Sequence, residues 1–172
     1  LTERGSVRVA GMDFRDSADE AAFRAGLRQW LADHLPADWA SRPPVVGRFD
    51  EQLSREWSRQ LAAAGYAGLT WPKQYGGAGA PYAYQGIYLE ETARAQAPDH
   101  IGVIGLGMAG PTIMAHGRPD QKDRFLRRIL TGEIVFCQGF SEPGSGSDLA
   151  SLTTRAVREG DHYVVNGQKV WS

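Results

Sequence analysis

The densest supply of hydroxyls and open backbone in the chain is Phe140-Ser-Glu-Pro-Gly-Ser-Gly-Ser-Asp148, where five of nine residues are glycine or serine. Glycine exposes backbone N–H groups at little steric cost, and serine adds a donor and acceptors. Such a loop can hold a phosphate or the polar edge of a ring. Pro143 pushes Glu142 toward an extended conformation. No Gly-Lys-Ser/Thr follows, so the loop is not a P-loop. Leu149 stands where a dinucleotide fingerprint needs glycine or alanine, and the segment joins strand to strand rather than strand to helix. By composition alone it reads as a surface turn more readily than as a ligand loop. Trp171, a short way downstream, reads by itself as the core tryptophan of a β-hairpin.

Other reactive residues offer less. His34, His100, His116 and His162 lack ligand spacing and read as surface or satisfied core residues, so no metal site is expected. Cys137 is the single cysteine, which excludes an intramolecular disulfide and fits a reducing cytoplasm. Glu90 and Glu91 read as a solvated helix face, and Glu142 belongs to the glycine/serine loop. None of the three is nominated as a catalytic base.

The elements that must position this loop follow from periodicity. Ser17-Ala-Asp-Glu20 fits a capping box, after which Phe23, Leu27, Trp30, Leu31 and Leu35 repeat at helical spacing until Pro36. Asp50 can cap a second helix with Leu53, Trp57, Leu61 and Ala64 on its apolar face and Gly65 just past its end. A glycine- and aromatic-rich loop covers Gly65 to Pro81. A third helix spans about 83–97, with a Glu90–Arg94 pair at i,i+4. The uncharged run from Ile101 to Ala115, 15 residues long, is short for a bilayer span and reads as a buried helix. Gly102, Gly105 and Ala109 share one face of it, either for close packing or to leave room for a ligand. Pro119 suits the first turn of a fifth helix with Phe125, Leu126, Ile129 and Leu130 inward and Gly132 closing it. After Gly132 the period becomes two. Ile134, Phe136, Gln138 and Phe140 alternate with Val135, Cys137 and Gly139, a strand pattern. Leu152–Arg158 and Tyr163–Val165 follow as strands, and Asn166-Gly167 predicts a hairpin returning through Gln168 to Trp171.

With 172 residues, 42% of them hydrophobic and 23% charged, the chain has ordinary globular composition. Nineteen basic against 20 acidic residues leave no basic surplus for nucleic acid or an acidic membrane. Leu1–Gly11 has no apolar h-region and is not a secretory signal. Residues 1–12 read as a leader or disordered stretch, 13–132 as a helical domain, and 133–172 as the truncated start of a β domain.

The order of the motifs adds to this. Ser-Glu-Pro-Gly-Ser-Gly-Ser-Asp at 141–148, followed by Asn-Gly-Gln-Lys-Val-Trp-Ser at 166–172, resembles the acyl-CoA dehydrogenase family in sequence and spacing. Upstream, Pro72 with Tyr75-Gly-Gly-Ala-Gly79, and Gly117 with Asp120-Gln-Lys122, look like further stretches of that family, so the likeness runs in register from about residue 13 to 172. The resemblance implies a mainly α fold: an all-helical N-terminal domain followed by the first antiparallel strands of an incomplete β-barrel-like middle domain. It implies FAD as cofactor and an acyl-CoA substrate. A proton leaves Cα, a hydride leaves Cβ for the flavin, and a trans-2-enoyl-CoA results. An electron-transfer flavoprotein is the expected acceptor, in lipid or fatty acid catabolism, with a homotetrameric or hetero-oligomeric assembly.

Residue by residue, the resemblance assigns Gln138, Phe140, Ser141, Gly146, Ser147, Trp171 and Ser172 to the flavin, and Ser147 also to the CoA part of the substrate. Ile101, Ile104, Gly105 and Met108 fall on the acyl-cavity wall, where Gly105 and Gly102 point to a roomy or branched-substrate pocket. No catalytic residue is expected in this chain. The base of the family lies beyond Ser172, so the chain by itself is expected to be inactive. Two rival readings remain: a flavin oxidase or monooxygenase on the same fold, and a non-catalytic fragment or structural half of a heteromeric assembly.

Overall fold

The computed structural model describes residues 15–36, 38–39 and 50–172. The leader expected at 1–12 lies outside the described residues. Five α-helices and two antiparallel strands are found among them, and they fall into two compact units.

The first unit joins the described residues before Val46 to Pro81–Ala97. Its helix α1 (Ala18–His34) begins as expected: Ser17 Oγ accepts from Glu20 N–H, and Glu20 Oε2 accepts from Ser17 N–H at 2.8 Å. Leu35 leaves the helix at ψ 140° ahead of Pro36. Helix α3 (Tyr82–Arg94), which follows helix α2 (Glu51–Ala63) in the chain, packs on α1. Buried Leu27, Leu31 and Ile87 form the apolar contact, and Phe23 stacks on Tyr84 at 4.3 Å. The helix ends three residues before the predicted boundary because Gln96 turns left-handed (φ 49°), with its N–H on Ala93 O and the Ala97 N–H on Thr92 O.

The acidic pair of α3 corrects the sequence reading. Glu90 does not pair with Arg94; it accepts from Arg24 at 2.7 Å, while Arg94 reaches Glu91 at 3.3 Å. Glu91 is not on a solvated face. It is buried, and its carboxylate receives Arg24 at 2.7 Å and Arg28 at 2.6 Å. The cause is α1: Arg24 and Arg28, four residues apart, stack on one helix face and point two guanidinium groups at the same acid. The Arg28 bond, opposed by burial and assisted by Arg24, holds the Glu91 carboxyl below the usual carboxylate range.

The second unit holds the chain from Asp50 to Ala80 and Pro98–Ser172. Helix α2 (Glu51–Ala63) is capped by Asp50 Oδ1 on Leu53 N–H at 3.0 Å and closed by Gly65 at φ 79°. The uncharged run after His100 is helical but not wholly buried. One π-helical turn (Gly105–Ala109) leads into α4 (Gly110–His116), and Val103, Gly107 and Met108 face outward. In that turn the Gly110 N–H bonds Gly105 O. Pro111 has no N–H to offer, so the Leu106 carbonyl needs another donor. The buried indole of Trp71 supplies it at 3.1 Å. Glycines 77 and 110 touch Trp71 so closely that a Cβ at either would overlap it. Helix α5 (Pro119–Leu130) lays Leu126, Ile129 and Leu130 against this seat.

His100 is a satisfied core residue. Its Nδ1 accepts from Gly102 N–H at 2.9 Å, so Nε2 carries the proton and donates to Leu130 O at 2.9 Å. Burial pushes its pKa down, against the pull of the Leu130 carbonyl.

Strands β1 (Arg155–Glu159) and β2 (His162–Asn166) pair antiparallel, with Glu159 opposite His162 across a Gly160-Asp161 turn. Two expectations are revised here. Residues 134–140 run extended and alternate in burial, yet carry no ladder, since no partner strand lies beside them among the described residues. Asn166-Gly167 does not turn a hairpin. Gly167 sits where a Cβ would overlap Thr154, so the glycine serves a close backbone approach.

Replacing Glu91 by Gln should lower stability by about 3 kcal/mol, the low end for a broken buried pair because Arg28 and Arg94 still reach water; urea unfolding measures it. His100 gives a pH dependence of known sign. Its folded pKa lies below the ordinary 6.5, so its contribution is complete above that pH and is lost as pH falls through the lowered value. Urea midpoints at stepped pH should fall on the acid side, and His100→Gln should flatten that decline.

Candidate functional site

The glycine/serine loop is a built structure. Glu142 N–H bonds Ser145 O at 2.7 Å and Ser145 N–H returns to Glu142 O at 3.0 Å, closing a tight turn over Pro143-Gly144. Ser145 Oγ then donates to Asp148 O at 2.6 Å, and Ser151 Oγ to Ser145 Oγ at 2.8 Å. Ser145 is buried and consumed in holding the loop. Ser147, one of the expected contacts, is exposed.

Beneath the turn the Glu142 side chain is buried. Its Oε2 accepts from Thr153 N–H at 2.7 Å and Thr153 Oγ1 at 2.8 Å; its Oε1 accepts from Thr154 N–H at 2.9 Å and Lys169 Nζ at 3.0 Å. The Thr154 side chain beside it, the Thr153 amide and Lys169 hold this carboxyl far below the usual carboxylate range. It is a fixed anion, unsuited to abstract and return a proton near neutral pH.

The final residues return beside the loop. Val170 N–H bonds Ser141 O at 2.9 Å, and Lys169 Nζ also donates to Phe140 O at 2.9 Å. Phe140 and Ser141 are thereby tied to the stretch that carries Trp171, which lies far along the sequence. Phe140 is 53% exposed. Gln138 and Ser141 are half-buried; Gly146 and Ser172 are exposed. A Cβ at Gly144 or Gly146 would meet no atom within 4 Å, so packing within the chain does not call for glycine at either position. Open backbone and an exposed serine at this loop offer the hydrogen-bonding groups that the polar edge of a flavin would need.

The expected acyl-wall residues lie apart from this loop, on the stretch leading into the π-turn. Ile101 and Ile104 are half-buried, Gly105 is buried and Met108 exposed. A Cβ at Gly105 would lie 3.0 Å from Ile129 Cγ2 and 3.8 Å from Phe136 Cδ2, so the space this glycine leaves is already filled by the core. Gly102 likewise sits close against the His100 ring. Gly107, which the sequence reading passed over, is the glycine of this turn with nothing within 4 Å. Lys169, Thr153 and Thr154 were also passed over. The Asn-Gly-Gln-Lys run was a visible signal, but only the fold shows that its lysine ends on Glu142.

Among the described residues no three His, Cys, Asp or Glu side chains converge as a metal site, and no helix is long and apolar enough to cross a membrane.

Residues 17–133 match the family model described as acyl-CoA dehydrogenase, N-terminal domain. The chain is 46% identical over 160 residues to acyl-CoA dehydrogenase IpdE1 of Mycobacterium tuberculosis, covering 90% of this chain and 41% of that protein. A solved structure described as the Tcur3481-Tcur3483 steroid ACAD superposes with a TM-score of 0.79 at 42% identity, covering 92% of this chain and 41% of that one. The ChsE4-ChsE5 complex of Mycobacterium tuberculosis superposes with a TM-score of 0.78 at 39% identity, covering 93% and 40%. The chain thus spans about 40% of the length of the proteins it is similar to.

Gly105→Ala should destabilise through contact with Ile129, whereas Gly107→Ala should be neutral or stabilise by up to about 1 kcal/mol, since alanine is the better helix former and has room. Paired thermal melts of the two variants decide it.

Proposed function

The chain belongs to the acyl-CoA dehydrogenase family, and we propose that it supplies the helical and flavin-facing part of an enzyme that oxidises an acyl-CoA thioester to a trans-2-enoyl-CoA. The observation that carries this reading is the tie between Phe140-Ser141 and the stretch that carries Trp171, beside an open glycine/serine loop. FAD, when bound, supplies the acceptor for the hydride that leaves Cβ.

This chain's own residues bind and orient. Trp171 and Phe140 offer flat apolar cover to the ring system and exclude water from one side of it. The Ser141 hydroxyl and the half-buried Gln138 offer hydrogen bonds to a polar ring edge. Gly146 leaves its N–H approachable, and Ser147 presents a hydroxyl that can serve the cofactor or the CoA part of the substrate. Ser172 lies next to Trp171 at the same edge. Ile101, Ile104 and Met108 contribute apolar surface for the acyl group, with width set by Gly107 rather than by the filled position at Gly105. The base that removes the Cα proton is supplied outside these residues: Glu91 is held by arginines and Glu142 by four donors. In this reading residues 13–132 are the helical domain and 133–172 begin the flavin-facing β domain. The electron acceptor is an electron-transfer flavoprotein and the setting is lipid catabolism in the cytoplasm.

The likeness to a steroid ACAD supports a bulky, ring-bearing acyl group, and the likeness to a subunit of a two-protein complex supports a hetero-oligomer in which another chain completes the site. The complete polypeptide should purify yellow or take up FAD, and an acyl-CoA should bleach it anaerobically. A protein that stays colourless in excess FAD overturns the reading. Rapid oxygen consumption without an added acceptor would mark an oxidase instead. Trp171→Ala should weaken FAD binding by about 10-fold or more, as loss of a stacking aromatic does, measured by flavin titration.

A further inference from the structure

Lys169 and Glu142 have no place in the roles above, yet they hold the residues that do. Residues 140–142 and 169–170 meet beside the glycine/serine loop. Among the described residues, three bonds tie these stretches together: Val170 N–H to Ser141 O, Lys169 Nζ to Phe140 O and Lys169 Nζ to Glu142 Oε1. Two of the three come from one ammonium group.

Glu142 anchors that ammonium. Its side chain is 5% exposed and Lys169's is 27%. A carboxylate has about four lone-pair sites, and here four donors from residues 153, 154 and 169 fill them. The carboxylate therefore cannot drift toward another partner without leaving amides bare, and Lys169 cannot leave without exposing a buried charge. Lys169 lies two residues before Trp171 and ends on the carbonyl one residue before Ser141. A shift of its head group moves both sides of the expected ring seat together.

We propose that Glu142 and Lys169 form a positioning clamp that sets Trp171 against Phe140-Ser141 for the flavin; the proposal rests on the flavin reading of this site. Neither residue touches the reacting atoms. Their contribution is the preorganisation of those that touch the cofactor.

The test compares the complete polypeptide with its Lys169→Met, Lys169→Arg, Glu142→Gln and Trp171→Ala variants. Each is titrated with FAD, the emission of bound flavin is read at saturation, and far-UV circular dichroism and melting follow the fold. Indole packed on the ring quenches flavin emission. Lys169→Met should bind FAD at least 10-fold more weakly, with bound-flavin emission raised toward that of Trp171→Ala and helix content unchanged. Lys169→Arg, which keeps a cation with several donors, should stay within a few-fold of the unsubstituted protein. If Lys169→Met fails to fold, Glu142→Gln decides in its place: the same weakening and emission change support the clamp, and unchanged binding overturns it. Unsubstituted protein that binds FAD while Lys169→Met binds it with equal affinity and equal quenching overturns the clamp alone. Unsubstituted protein that takes up no FAD overturns the flavin reading, and the clamp with it.

Discussion

A single indole hydrogen bond decides the irregular shape of the second unit. A π-turn followed by proline leaves the Leu106 carbonyl without a backbone donor, and a buried orphan carbonyl is costly. Trp71 answers it from a loop 35 residues earlier. To reach Leu106 the ring must press against backbone, and Gly77 and Gly110 are the places where it does. Gly77 of the Tyr-Gly-Gly-Ala-Gly stretch is thus where that loop makes room for the tryptophan. The same seat packs on α5, which in turn fills the space at Gly105 through Ile129.

The unit built on α1 and α3 solves a different problem with charge. Three arginines converge on one buried glutamate, two of them from α1. Such a cluster adds modest net stability, because the desolvation of each ion offsets most of the attraction. It favours one alignment of the two helices, since another register would take Arg24 and Arg28 away from Glu91 and leave it with Arg94 alone. The glycine/serine loop repeats the device on a smaller scale, with Glu142 as the buried anion and amides, a hydroxyl and an ammonium as its partners.

Much of this was legible in local order. The Ser17 box, the Asp50 cap, and Gly65 and Gly132 past their helices are decided by a few neighbouring residues, and each was found where its residues stood. The candidate site was legible as a set of residues because Ser141–Asp148 and Trp171 are distinctive in type and spacing. Their mutual arrangement was not. Asn166-Gly167 carries the signal of a hairpin, but the glycine is used to admit Thr154, a contact no local pattern announces. The strand-like alternation at 134–140 describes which side chains face inward; it cannot say whether a second strand lies alongside.

What the sequence determined by itself, then, was much of what is settled within one or two turns of chain: the capped helix starts, most inward faces and the chemical character of the glycine/serine loop. These depend on backbone groups and side chains a few residues apart, whose geometry varies little from fold to fold. Only the tertiary structure decided which acid each arginine meets, which glycine makes room for a core residue and which one is open, and that Lys169 closes on Glu142. Those outcomes depend on pairing between residues far apart in the chain, up to 67 residues for Arg24 and Glu91, where the partner is chosen by packing and desolvation in three dimensions.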